Sequence, residues 1–107
     1  MTDKVVVLVT CASAKEAAKI GKSLVEKRLA ACVNISSPVR SFYRWEGKIK
    51  DDKEYLLFIK TGRELFAKLR GEVERLHSYH VPEVICLAIV DGAPNYLNWI
   101  TESVRAD

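Results

Sequence analysis

The sequence predicts an α+β domain, and three observations carry that prediction. Val5 to Val9 and Val84 to Val90 are continuous apolar runs, which read as strands buried on both faces. Two segments with apolar residues at helical spacing follow, one behind the first run and one ahead of the last. Between those helices lies a long alternating stretch broken by the turn signal Glu46-Gly47. The order β-α-β-β-α-β, closed by a short further helix, is the ferredoxin-like split βαβ arrangement. The expected architecture is therefore a ferredoxin-like sandwich with an extra C-terminal helix and a long central hairpin. Right-handed crossovers place both long helices on one sheet face.

Each element has a local reason. After the first strand, Ser13 to Glu16 reads as a capping box: Ser13 accepts from the amide of Glu16 and Glu16 reaches back. The helix behind it, Ala14 to Leu29, carries Ala17, Ile20, Gly21, Leu24 and Val25 on one stripe, with small residues that allow close approach to a sheet. A second extended stretch begins near Ala30 and is interrupted by Pro38, an edge or bulge marker. From Val39 it alternates, with Ser41, Tyr43 and Trp45 on one face and Arg40, Phe42 and Arg44 on the other. The chain returns through Lys48 to Lys60, ending in the strand Tyr55 to Ile59. Thr61 to Glu64 reads as a second capping box, opening a helix with Leu65, Phe66, Leu69, Val73 and Leu76 at helical spacing. Pro82 ends the loop that follows. Asp91-Gly92 turns, and Pro94 suits the first position of a helix carrying Leu97, Ile100 and Val104.

Composition bounds the function. A chain of 107 residues is one domain, read here as residues 1–107. Its 17 basic and 14 acidic residues are interspersed, with no block that calls for nucleic acid or an anionic membrane. The apolar runs are too short to span a bilayer. Three widely spaced cysteines make no disulfide framework, and Met1 to Val5 lacks the order of a secretory signal. A cytoplasmic, reducing setting is expected.

The hairpin points to assembly. Thirteen residues of strand from Lys48 to Lys60 would span about 43 Å, against about 24 Å for the first helix. The overhang carries Tyr43, Trp45 and Ile49, which one protomer would leave wet. The competing reading makes Asp51-Asp52-Lys53 a loop between short strands.

Five ordered segments carry a resemblance: Lys27 to Asn34, Tyr43 to Lys48, Ile59 to Thr61, His77 to Glu83, and Asn95 to Trp99. Together they resemble the CutA family of divalent-cation-tolerance proteins over about residues 5–104. The resemblance implies a ferredoxin-like fold and a homotrimer whose long hairpin strands are shared between subunits, as in PII-type signalling trimers. It implies binding of copper or another divalent cation, and no catalysed reaction. Association of animal members with acetylcholinesterase implies a scaffold role, so a trimeric scaffold for a small ligand or a protein is the alternative function.

The metal ligands are carried over residue by residue. The family pattern of a first-strand cysteine and two adjacent histidines falls on Val9, Leu76 and His77. Its Pro-Tyr pair falls on Ser78-Tyr79. Cys11, two positions after Val9, stays on the same strand face if the strand persists, and His80 adds an imidazole three residues after His77. Cys11, His77 and His80 are the metal candidates, a Cu or Zn set if strand and loop converge. Cys11 also sits near a helix N-terminus, whose dipole favours a thiolate; a small apolar filler at a strand end is its competing role. A helix cap is the competing role for His77. Cys32 and Cys86 read as core. The resemblance places Trp45, Lys60, Tyr79, Glu83, Tyr96 and Trp99 as candidates near inter-subunit clefts.

Two other classes fit poorly. The chain has no Gly-rich phosphate loop, nucleophile elbow or acid–base pair, so no enzyme is expected. An RNA-reading sheet needs adjacent exposed aromatics on its central strands, and Val5 to Val9 offers none.

Overall fold

The computed structural model of the chain describes residues 2–105. Strand β1 (Lys4–Cys11) leads into helix α1 (Ala14–Glu26). Strands β2 (Cys32–Ile35), β3 (Val39–Trp45) and β4 (Lys48–Gly62) follow, then α2 (Phe66–Leu76), β5 (Val84–Ala88) and α3 (Pro94–Ser103). The main sheet has the order β2-β4-β1-β5, with β3 paired to the far half of β4 and every pairing antiparallel. This is the expected ferredoxin-like order with the expected third helix.

The core forms where β1 and β4 alternate toward the helices. Val5, Val7, Val9, Leu57 and Ile59 pack under Ala17, Ile20 and Leu24 of α1 and Leu69 and Val73 of α2. Gly21 lets α1 come close: a Cβ there would meet Val33 Cγ1 at 3.1 Å. Val25 lies off the buried stripe and is exposed. A smaller cluster joins Ile100 and Val104 to Leu65 and Ala31, which seats α3. Glu72 ties the helices together. Its carboxylate accepts from Ser23 Oγ at 2.7 Å, Lys27 Nζ at 2.9 Å and Arg75 Nη2 at 2.7 Å.

The hairpin is fully strand. Asp51, Asp52 and Lys53 pair with Phe42, Ser41 and Arg40, so no loop interrupts β4. Glu46 and Gly47 both have positive φ, 50° and 78°, the turn geometry that matches the twist of paired strands. The resulting arm gives the protein a long axis of 44 Å.

Four local expectations are corrected. The second extended stretch is two strands, because Pro38 has no amide to donate and the chain steps off the main sheet between Ile35 and Val39. Thr61 caps no helix. Strand pairing with Val5 carries on through it, its buried hydroxyl donates to Leu29 O at 2.7 Å, and a 3-10 turn over Arg63–Leu65 precedes α2. Strand β5 is shorter than Val84 to Val90 and is not buried, since it forms the sheet edge with Ile85 and Leu87 exposed. Cys86 lies on that edge and is exposed, and Cys32 is half-buried, so neither is core. All three cysteines are free thiols.

Candidate functional site

The C-terminal end of β1 separates two sites. Thr10 and Cys11 are consecutive strand residues and face opposite sides of the sheet.

On the helix side lies a buried cluster. Cys11 ends β1 and is fully buried. Ser13 caps α1 as expected, accepting from the Glu16 amide at 3.1 Å. The Glu16 carboxylate does not reach back to complete the box. It turns to the C-terminal end of α2, where Oε2 accepts from the Ser78 amide at 3.1 Å and Oε1 faces His77 Nδ1 at 3.6 Å. His77 follows α2 with its side chain fully buried. Its Nδ1 accepts from the Tyr79 amide at 3.0 Å. An amide can only donate, so the ring proton sits on Nε2, which donates to Thr10 O at 2.7 Å. Cys11 Sγ lies 3.8 Å from the same Nε2.

One donor atom each of Cys11, Glu16 and His77 thus lies within 4.8 Å of the other two. Glu16 Oε1 is buried without a hydrogen-bond partner. The helix dipole does not decide the state of Cys11. Burial, reinforced by the charges of Glu16 and Glu54, pushes its thiol up to about 12, so it stays protonated near neutral pH. That state disfavours a free nucleophile. A bound cation reverses it, because a coordinated thiol gives up its proton.

On the opposite side lies a cleft of about 990 Å³ between the hairpin and the loop after α2. Tyr43 and Trp45 wall it from the arm, and Tyr79, His80 and Glu83 wall it from the loop. Its floor is acidic. Tyr79 donates to Glu54 Oε2 at 2.8 Å, and Tyr43 donates to Asp52. Glu54 is only 6% exposed. Burial, then the nearby Glu54, raises the Glu83 carboxyl above its usual range. Burial, then the bond to Glu54, raises the Tyr79 hydroxyl strongly.

The sequence candidates therefore divide. Cys11 and His77 converge, while His80 lies across the sheet in the cleft and outside their cluster. Trp45, Tyr79 and Glu83 line the cleft. Lys60 lies on the open sheet face, donating to Asn34 Oδ1. Tyr96 and Trp99 stack on each other along α3, ring centres 5.5 Å apart. Glu16 and Glu54 were missed. The capping box gave Glu16 a sufficient local role, and Glu54 is one acid among many in a charged strand.

Fold and sites define a small α+β sandwich with a buried Cys-Glu-His donor set and an acidic, aromatic cleft at an overhanging hairpin. Residues 5–103 match the family model described as CutA1 divalent ion tolerance protein. The chain belongs to the CutA1 family. It is 48% identical over 98 residues to the divalent-cation tolerance protein CutA of Thermus thermophilus, covering 92% of this chain and 95% of that one. Its fold superposes on the solved Thermus thermophilus structure with a TM-score of 0.93, at 46% identity over 95% of this chain and 99% of that one. The structure described as the periplasmic divalent cation tolerance protein CutA of Archaeoglobus fulgidus gives 0.92, at 43% identity over 95% and 99%. Among the described residues, no helix is long and apolar enough to cross a membrane.

Proposed function

We propose that this protein is a homotrimer that binds a divalent cation of the copper or zinc type and acts in metal tolerance. The observation that carries the reading is the Cys11–Glu16–His77 cluster with its orphaned Glu16 oxygen. A thiol, a carboxylate and an imidazole are the donor mix that borderline divalent metals take. Glu16 Oε1 and His77 Nδ1 are 3.6 Å apart with the Cys11 thiol beside the same ring, close enough for one tetrahedral ion to join all three. The donors are not those of the family pattern. Val9 is fully buried core and Leu76 packs against that core, so neither supplies a ligand. His80 is proposed as an outer ligand in the cleft, separate from the buried set.

The trimer is supported by the bare sheet face. Phe58, Ile85 and Leu87 are exposed there beside half-buried Val6, Leu8 and Leu56, and an apolar sheet face of this kind is stable in water only when covered. Three free thiols fit a cytoplasmic, reducing setting. The cleft supports a second reading, a trimeric small-ligand or protein-binding scaffold without a metal role. PII-like signalling would belong with either. No catalytic step is proposed, because the one buried thiol is held protonated.

Copper and zinc titration calorimetry on the reduced protein, with its mass from light scattering, tests both parts. Saturable binding lost in Cys11→Ser and His77→Ala, at a trimer's mass, is expected. A trimer that ignores both metals overturns the metal reading and leaves the scaffold. A monomer overturns the assembly.

A further inference from the structure

The three donors of the buried cluster are each tied to the wall of the cleft. Cys11 is covalently next to Thr10 and Ala12, both of which line it. Glu16 Oε2 holds the Ser78 amide, and His77 holds Thr10 O and the Tyr79 amide. Ser78 and Tyr79 line the cleft as well.

The donors are not equally available. Glu16 has Oε1 to offer and keeps its bond to Ser78. His77 has no spare lone pair. Nε2 carries the proton that Thr10 O accepts, and the lone pair on Nδ1 is already taken by the Tyr79 amide. A cation entering between Glu16 Oε1 and His77 Nδ1, 3.6 Å apart, must displace that amide. The Nε2–H bond to Thr10 O would survive, as the second contact that orients a ligating histidine.

Displacing the Tyr79 amide moves Tyr79. Its ring packs on the His77 ring with centres 4.7 Å apart, and its hydroxyl is anchored on Glu54 in the cleft floor. We propose that cation occupancy of the Cys11–Glu16–His77 cluster is coupled to the cleft through Tyr79: binding draws its amide off His77 and its hydroxyl off Glu54, baring a carboxylate in the cleft. The proposal rests on the metal reading above and adds its regulation. The buried cluster acts as the sensor, and the cleft, on the other face of β1, as the responding surface. The Glu54 charge, felt by the Cys11 thiol as well as by Glu83, links the two sides electrostatically.

Coupling is reciprocal. If metal binding must break the Tyr79–Glu54 bond, removing that bond beforehand strengthens metal binding. The test uses zinc, which does not quench fluorescence, on the full chain in a Trp99→Phe background, so that Trp45 in the cleft wall is the one tryptophan. Calorimetry reads occupancy and Trp45 emission reads the cleft. The expected result is an emission shift that saturates with the calorimetric midpoint. In Tyr79→Phe, zinc should bind roughly fivefold tighter, the value of one ordinary hydrogen bond, and the emission shift should fall by more than half. Glu54→Gln, which leaves both rings in place, should change affinity in the same direction. Unmoved Trp45 emission at saturation, or unchanged zinc affinity in both variants, overturns the coupling and leaves the metal reading intact. Absence of zinc binding in every protein overturns both.

Discussion

The two faces of the central sheet are built from the same strands and have opposite fates. On β1 and β4, Val5, Val7, Val9, Leu57 and Ile59 lie under the helices and are at most 1% exposed. Their alternate neighbours Val6, Leu8, Leu56 and Phe58 face the other way, joined by Ile85 and Leu87 of β5. Phe58 is 37% exposed, Ile85 46% and Leu87 47%. Helices α1 and α2 cover a single face, and α3 is seated on Leu65 and Ala31, so Phe58, Ile85 and Leu87 on the second face stay exposed. An apolar residue on these strands therefore reports burial, but not whether the cover comes from the same chain.

The largest expected effect breaks the bare face. If the proposed trimer forms, Phe58→Glu should leave helix and strand content intact while the mass by light scattering falls to a monomer's; a trimer that persists in the variant would show that this face is not the interface. Next is the covered face. Ile59→Ala, one residue along and fully buried, should cost about 2–5 kcal/mol in urea unfolding, with cavity formation inside the protomer. Comparable losses of stability and mass in both variants would erase the distinction between the faces.

Glu72 offers a third, smaller test, because it ties together the two helices that do the covering. Hydrogen bonds from Arg75, then Ser23 and Lys27, hold its carboxyl down at about 2, against an ordinary 4.5. A depressed carboxyl stabilises the fold above its unfolded pKa and loses that contribution as pH falls toward the folded one. Stability should therefore decline between about pH 4.5 and pH 2, in part through Glu72. Glu72→Gln should cost about 1–2 kcal/mol at neutral pH and flatten the acid decline, read by urea midpoints across that range. The smallest effect belongs to the exposed cap. Ser13→Ala should cost about 1 kcal/mol, and a much larger loss would mean that Ser13 also holds Glu16 in the buried cluster.

Much of the fold was legible because its signals are local. The run Val5 to Val9, the Ser13 cap, the Glu46-Gly47 turn and Pro94 at the start of α3 each act within a few residues, and all formed, although Val5 to Val9 is buried on one face and not, as expected, on both. Where local chemistry was overridden, a distant partner won. Thr61 had the spacing of a cap, but pairing with Val5 and burial against Leu29 kept it in strand. Cys86 sits in an apolar run, yet its strand pairs on one side only.

The site was half legible. Cys11 and His77, 66 positions apart, come together because β1 and α2 end at the same end of the sheet. His80 has a metal-like spacing from His77, but the chain turns across the sheet end within those three residues and carries it to the cleft.

The sequence by itself determined the ferredoxin-like alternation of strands and helices, most of each helix-facing stripe and the long hairpin with its turn, because periodicity and turn chemistry are written residue by residue. The tertiary structure alone decided that Glu16 points at His77 rather than back at its cap, that one imidazole is buried and the other wet, and that Glu54 anchors Tyr79. Those outcomes depend on which strand and helix ends meet in space, where burial and competition for each hydrogen bond are settled by neighbours far away in the chain.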